Sequence, residues 1–158
     1  MSNITTTIPT VLKYVSQFAS FPLRWYYTAP MLDQFLKMDI SACGTGIDYN
    51  FHSQEGTCWL QVYNQSPFLY TIDRLTVDVV FNGGGSFSCA STMPVSVEGM
   101  SDKKLYVHGK SPMTPEVANA SKASKEAYAN INAYVITPIR KFEIRRNFSN
   151  ITNVRLNA

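Results

Sequence analysis

From residue 44 onward, hydrophobic and polar residues alternate with a period of two in several short stretches. In IDYNFH, Ile47, Tyr49 and Phe51 fall on one side and the polar residues on the other. RLTVDVVF and RKFEIRRNF repeat this pattern, CWLQVYN is apolar on both sides, and KKLYVHG is expected to be a short strand. Such alternation is typical of antiparallel strands with one buried and one solvated face. The pattern therefore predicts a mainly β domain over residues 44–158.

The first 43 residues have a different pattern, with apolar positions at helical spacing. Val11, Tyr14, Val15 and Phe18 recur every three or four residues, so we expect a first helix that ends at Pro22. A second helix is expected over residues 30–38, with Pro30 in its first turn. The sequence thus predicts an N-terminal arm, residues 1–43, of two short helices.

Aromatic side chains are concentrated in this arm, and we take them as candidate contacts with a partner protein or a membrane surface. They are Tyr14, Phe18, Phe21, Trp25, Tyr26, Tyr27 and Phe35. Tryptophan and tyrosine favour boundaries where one end of the ring is apolar and the other is hydrated. Packing of the arm on its own β-domain is the alternative, since an apolar face needs some cover.

The arm also resembles an organellar targeting sequence, because no acidic residue precedes Asp33 and hydroxyl side chains are common. We expect it to be retained rather than cleaved. For the protein as a whole we expect a membrane-associated location without a transmembrane span. Whether the compartment is an organelle is left open.

A third helix is predicted between the strands, where SPMTPEVANASKASKEAYAN interrupts the alternation. Thr114 suits the N-cap, Pro115 the first helical position, and Glu116 the first turn, where a negative charge is stabilised by the helix dipole. We expect this helix to cross over the surface of the β-domain.

Three consecutive glycines, Gly83 to Gly85, raise the question of a phosphate-binding loop. Such a loop needs a helix after the glycines, and the following SFSCASTMPVSVEG is expected to be extended. Asn82 and Gly83 both accept the positive φ of a type I′ turn. The sequence therefore predicts a β-hairpin here and no nucleotide site.

Pro67 cannot donate to a strand ladder, so it predicts that the strand CWLQVYN ends nearby. We expect the chain to bulge through SPFLYT and to re-enter a strand near Asp73. The side chains of Asn64 and Ser66 are candidates to satisfy main-chain groups across this bend.

The composition describes a single globular domain: 158 residues, 45% hydrophobic and 16% charged, with a net charge of +3. Nothing predicts nucleic-acid binding, because Lys and Arg form no dense stripe with aromatic residues. No cofactor or metal site is expected. Among nucleophiles, only Cys58 with His52 or His108 offers a thiol and a base, so a thiol hydrolase is a remote alternative.

Three segments follow one another along the β-domain: WLQVYNQSPFLYTIDRLTVDVVFNG, MPVSVEGMSDKKLYVHGKSPMTPE and INAYVITPIRKFEIRRNFS. Their order resembles the LEA-2 family, also called water-stress and hypersensitive-response (WHy) domains. The resemblance covers roughly residues 44–148. Ser66 stands where that family usually has Asn before the proline. The resemblance implies an antiparallel β-sandwich of the immunoglobulin or fibronectin-III type and no catalytic residues.

Together these features predict a non-catalytic binding or structural module. In the first hypothesis, the arm attaches the sandwich to a membrane surface or to a larger complex as an accessory subunit. In the alternative, the arm closes over the sandwich and forms a pocket for a lipid or another small apolar ligand. Exposure of Trp25 favours the first hypothesis and burial favours the second.

Overall fold

The computed structural model describes residues 20–40, 44–124 and 126–157. The helix expected around residues 11–18, including Tyr14 and Phe18, lies outside the described residues. Within them, three helices are α1 (Ser20–Tyr26), α2 (Ala29–Phe35) and α3 (Pro115–Ser124). Ten strands are β1 (Leu36–Asp39), β2 (Ile47–Asn50), β3 (Glu55–Asn64), β4 (Tyr70–Phe81), β5 (Ser86–Ser91), β6 (Val95–Val97), β7 (Ser101–Lys110), β8 (Ala127–Ile136), β9 (Lys141–Ile151) and β10 (Val154–Asn157).

The first sheet is centred on β3. Strand β7 pairs with one edge of β3 along its whole length. The other edge is shared, with β1 antiparallel to residues 61–64 and β2 antiparallel to residues 55–58. Strand β10 then adds to β2 in parallel. All other strand pairs within the described residues are antiparallel.

The second sheet is centred on β4, the longest strand. Strands β5 and β6 pair with successive segments of one edge of β4, and β8 pairs with the other edge. Strand β9 follows β8, and the register shifts between Ala127 and Ala129. The order is β5 and β6, then β4, β8 and β9.

Side chains from both sheets fill the space between them. The alternation read from the sequence is present, because Leu75, Val77, Val79 and Phe81 of β4 are all at most 3% exposed. Tyr49 and Tyr70 are fully buried among them. The chain is therefore an immunoglobulin-like, mainly antiparallel β-sandwich with one crossover helix and an N-terminal helical arm, which confirms the expected fold class.

The arm differs from expectation in two places. Pro22 does not end a helix but lies in the first turn of α1, where the main-chain N–H groups need no intrahelical partner. The second helix ends at Phe35 instead of residue 38, and Leu36–Asp39 is strand β1. Residues before 44 therefore contribute a strand to the first sheet.

Helix α3 forms where it was predicted. The main-chain oxygen of Thr114 accepts from the N–H of Ala118 over 2.9 Å, and its hydroxyl accepts from Val117 over 3.5 Å. Hydrogen bonds from the main chain of Glu116 and the side chain of Thr114 lower the pKa of the Glu116 carboxyl, as expected for an acid at the start of a helix. The residues AYAN, read as the end of this helix, begin β8 instead.

Candidate interaction surface

The aromatic residues of the arm divide into exposed and packed groups. Trp25 is 88% exposed and Tyr26 is 65% exposed, both on α1. We call these two residues the aromatic pair. Tyr27 and Phe35 are half-buried, and the Tyr27 ring lies edge-on to Phe68 at 5.0 Å between centroids. Phe21 belongs to α1, but its side chain lies outside the described residues, as do Tyr14 and Phe18.

Helix α1 is fixed to the hairpin that joins β8 and β9. The Arg24 Nε donates to the main-chain oxygen of Ile139 over 3.0 Å. In return, a terminal nitrogen of Arg140 donates to the main-chain oxygen of Arg24 over 2.7 Å. These two bonds join segments more than 110 residues apart in the sequence. The aromatic pair is therefore held on a supported helix.

The tip of this hairpin is itself ordered by Thr137. Its hydroxyl accepts from the N–H groups of Ile139 and Arg140, over 3.3 and 3.0 Å, and donates to the Arg140 oxygen over 2.8 Å. Ile139 is 2% exposed, which anchors the tip in the protein interior. The support for α1 is thus a rigid turn.

Between α1 and this hairpin lies a groove of about 600 Å³ that we call the basic groove. It is lined by Arg24, Thr137, Pro138, Ile139, Arg140 and Lys141. None of its three cations forms an ion pair with an acid within residues 20–40, 44–124 and 126–157. The buried Nε of Arg140 has no hydrogen-bond partner among these residues.

Helix α2 is held differently, because it packs into the sandwich. Leu32 is fully buried, and its main-chain oxygen accepts a 2.9 Å hydrogen bond from the Tyr70 hydroxyl. Asp33 forms a two-point ion pair with Arg146 of β9, over 2.5 and 3.2 Å. Arg146 therefore faces α2, whereas Arg140 and Lys141 line the basic groove.

The bend after β3 contains a buried hydrogen-bond network around Asn64 and Ser66, which we call the polar knot. The Asn64 amide donates to the main-chain oxygens of Phe68, Val97 and Glu98 over 2.7, 3.1 and 3.0 Å. Its oxygen accepts from both the N–H and the hydroxyl of Ser66. This knot ties the bend at Pro67 to the β6–β7 turn. Strand β4 begins at Tyr70, earlier than expected, and Asp73 lies at a register shift within it.

Asn82 and Gly83 form the turn between β4 and β5, but the turn is not type I′. Neither residue has a positive φ, whereas Gly84 has a φ of 89°. Gly84 donates to the Phe81 oxygen, and Phe81 donates to the Gly85 oxygen. This is a type I turn followed by a left-handed glycine. The main chain of Gly83 lies directly against Ala120 and Ser121 of α3, so a side chain there has no room.

Of the thiol and imidazole groups considered for catalysis, Cys58 and His108 lie on opposite faces of the first sheet. Cys58 is fully buried in the core, whereas His108 is exposed on the outer face of β7. His52 is exposed in the turn after β2 and its N–H is bonded to the Asn50 side chain. The sheet therefore separates Cys58 from His108.

A second aromatic surface was missed by the sequence reading. Trp59 and Tyr106 are paired across β3 and β7, with ring centroids 4.6 Å apart, and are 40% and 50% exposed. Tyr106 also stacks on His108 at 6.3 Å. The two rings lie on different strands, so only the pairing of β3 with β7 shows that they meet.

No protein-family model matches this chain, and no curated protein matches its sequence. Among solved structures, the chain is similar to Northeast Structural Genomics Consortium target SoR45, with a TM-score of 0.51 and 9% identity over 77% of this chain and 89% of that one. At this identity the similarity shows the fold alone. The resemblance to the LEA-2 family stays a prediction.

Lower TM-scores relate the chain to two further structures. One is the ligand binding region of serine-glutamate repeat protein A of Enterococcus faecium, with a TM-score of 0.41 and 9% identity over 78% of this chain and 97% of that one. The other is WR4, a C. elegans MSP family member, with a TM-score of 0.35 and 12% identity over 74% and 98% of the respective chains.

In the described part of the chain, no helix has the length and apolar character that crossing a bilayer requires.

Proposed function

We propose that this protein is a non-catalytic module whose β-sandwich attaches to a membrane surface through α1, alone or as an accessory subunit of a membrane complex. The observation that carries this proposal is the aromatic pair. Trp25 and Tyr26 leave 88% and 65% of their side chains in solvent, although the helix that bears them is bonded to the sandwich.

Exposed aromatic rings on a rigid support suit an interface better than a self-packed arm. Each square ångström of apolar surface left in water forgoes about 25 cal/mol of burial free energy. Trp and Tyr are the residues enriched at the boundary between water and lipid, because their rings are apolar and their N–H or O–H groups are polar. The apolar positions at helical spacing in residues 11–18 precede α1 directly in the sequence and would extend the same contact.

The alternative of a closed apolar pocket has less support. Helix α2 does close one side of the sandwich, with Leu32 fully buried. The space behind it is occupied by large side chains, including Tyr70 and Phe142, whose ring centroids are 6.0 Å apart. The exposure of Trp25 is the outcome expected for attachment and not for a pocket.

Vesicle flotation of the full chain tests this proposal. Replacing Trp25 and Tyr26 by alanine is expected to abolish flotation with little loss of stability, because both rings are mostly exposed and the Tyr26 ring contacts only the edge of the Tyr27 ring. The matched control removes the same two residue types from the outer face of the first sheet, as Trp59→Ala with Tyr106→Ala, and is expected to float like the wild type. Equal flotation of all three proteins, or none by the wild type, contradicts membrane attachment through α1.

A further inference from the structure

The basic groove is lined by three cationic side chains, and few acidic groups are available to neutralise them. Arg24, Arg140 and Lys141 line one groove of about 600 Å³. No acidic residue lines the groove among the described residues; Asp33 is paired with Arg146 over 2.5 Å, and Glu143 lies 3.8 Å from Arg145. Like charges gathered around one groove repel one another, so an anion placed between them is stabilised.

The guanidinium groups of Arg24 and Arg140 also have N–H donors that the protein itself does not use. Each uses one N–H on a main-chain oxygen, Arg24 on Ile139 and Arg140 on Arg24. A guanidinium carries five N–H donors, so most of them remain free, including the buried Nε of Arg140 that has no partner among the described residues. Arginine's planar fork matches the oxygens of a phosphate group and binds them through paired hydrogen bonds.

We infer that the basic groove binds the phosphate group of an anionic phospholipid headgroup. This inference rests on the proposed function and names the membrane component that α1 recognises. The position of the aromatic pair favours a lipid as the source of the phosphate. Trp25 and Tyr26 follow Arg24 directly on α1, and such rings lie at headgroup depth, which brings the basic groove to the level of the lipid phosphates.

Binding of the full chain to vesicles, followed by the fluorescence of Trp25, tests this inference. The chain has two tryptophans, so a Trp59→Phe background isolates the Trp25 signal. Three conditions separate the possible ligands: phosphatidylcholine vesicles, the same vesicles containing phosphatidic acid, and soluble glycerol 3-phosphate. We expect a blue shift and tighter binding with phosphatidic acid, and no response to glycerol 3-phosphate alone.

Lys141→Gln is the most informative variant, because Lys141 is exposed and its side chain makes no hydrogen bond or ion pair within the described residues. Its effect on folding is therefore small. Lys104→Gln, on the outer face of β7, makes the same charge change at an exposed site away from the groove. We expect Lys141→Gln to weaken binding to phosphatidic acid vesicles about fivefold, and Arg24→Gln with Lys141→Gln to weaken it further, with little effect of Lys104→Gln.

The outcomes separate the two proposals. Equal losses from Lys141→Gln and Lys104→Gln would assign the effect to overall charge and overturn the groove as a site. Binding to both vesicle types with equal affinity keeps membrane attachment but overturns recognition of an anionic headgroup, because phosphatidylcholine carries a phosphate without a net charge on the headgroup. A response to glycerol 3-phosphate without vesicle binding makes the ligand a free phosphate compound, and absence of any vesicle binding contradicts both proposals.

Discussion

The hydroxyl of Tyr70 donates a 2.9 Å hydrogen bond to the main-chain oxygen of Leu32, and both side chains are fully buried. This bond connects β4 of the second sheet with α2 of the arm. Together with strand β1, it makes residues 29–39 an integral part of the sandwich. Helix α1, which carries the exposed aromatic pair, lies outside this buried part and is held instead by the hydrogen bonds of Arg24 and Arg140.

Replacing Tyr70 by phenylalanine is expected to destabilise the protein by about 1–2 kcal/mol, because the Leu32 oxygen loses a buried donor while the ring still fills its place. Urea unfolding measures the change in the free energy of unfolding. Tyr134→Phe serves as the control, since Tyr134 faces Arg74 on the outer surface of the second sheet. An unchanged midpoint for Tyr70→Phe would mean that the bond does not hold α2.

Replacing Asn64 by alanine is expected to cost about 3 kcal/mol, because three main-chain oxygens each lose one donor at a residue that is 1% exposed, and only those of Phe68 and Glu98 keep a serine hydroxyl. Asn130→Ala, at an exposed position of β8, is expected to change stability by less than about 0.5 kcal/mol. Thermal and urea unfolding of both variants give the comparison. Similar small effects in the two proteins would contradict a structural role for the polar knot.

The two glycines of the β4–β5 turn are expected to respond differently to alanine. At Gly83 a Cβ overlaps the main chain of Ala120 and Ser121, so Gly83→Ala must displace α3. At Gly84 the Cβ enters open space, and Gly84→Ala costs only the strain of a φ of 89°, about 1 kcal/mol. Hydrogen exchange of α3 amides is expected to increase in Gly83→Ala alone. Equal exchange in both variants would show that α3 does not depend on this contact.

Alkaline pH is expected to destabilise the protein partly through Cys89. Burial in the core, followed by the negative charge of Asp78, raises the pKa of the Cys89 thiol from 9.0 to about 12. Below pH 9.0 both the folded and the unfolded thiol keep the proton, so the contribution is fully present. As the pH rises from there towards 12, only the unfolded thiol ionises, and this group lowers the free energy of unfolding by up to about 1.4 kcal/mol per pH unit.

Urea titrations across this pH range measure that slope. Cys89→Ala is expected to be less stable at every pH but to lose less stability on the alkaline side than the wild type. Val77→Ala, which truncates the buried residue paired with Cys89 across β4 and β5, leaves the thiol in place and is expected to keep the wild-type slope. Parallel pH profiles for wild type and Cys89→Ala would rule out the Cys89 contribution.

Much of the sandwich could be predicted because its signals are local. Alternation in RLTVDVVF identified the buried face of β4, and Thr114, Pro115 and Glu116 marked the start of α3. The glycines after Phe81 indicated a hairpin, although the turn type was wrong, because Asn82 and Gly83 both tolerate negative as well as positive φ.

The candidate surface could be predicted only in part. Aromatic residues in the arm were recognised as a group, but no local pattern separates the exposed Trp25 and Tyr26 from the half-buried Tyr27 and Phe35. The partner residue Arg140 lies 116 positions from Arg24, and nothing in either segment encodes their hydrogen bond.

The order of apolar and polar residues by itself determined which side chains point into the sandwich and where the chain turns, because a strand's two faces and a glycine's backbone freedom are properties of neighbouring residues. The tertiary structure decided that Leu36–Asp39 is a strand, that β10 runs parallel to β2, and that three cations surround one groove. Each of these depends on a free strand edge or a hairpin tip supplied by a distant part of the chain. In Leu36–Asp39, hydrogen bonding to the free edge of β3 outweighs the helical pattern of these residues.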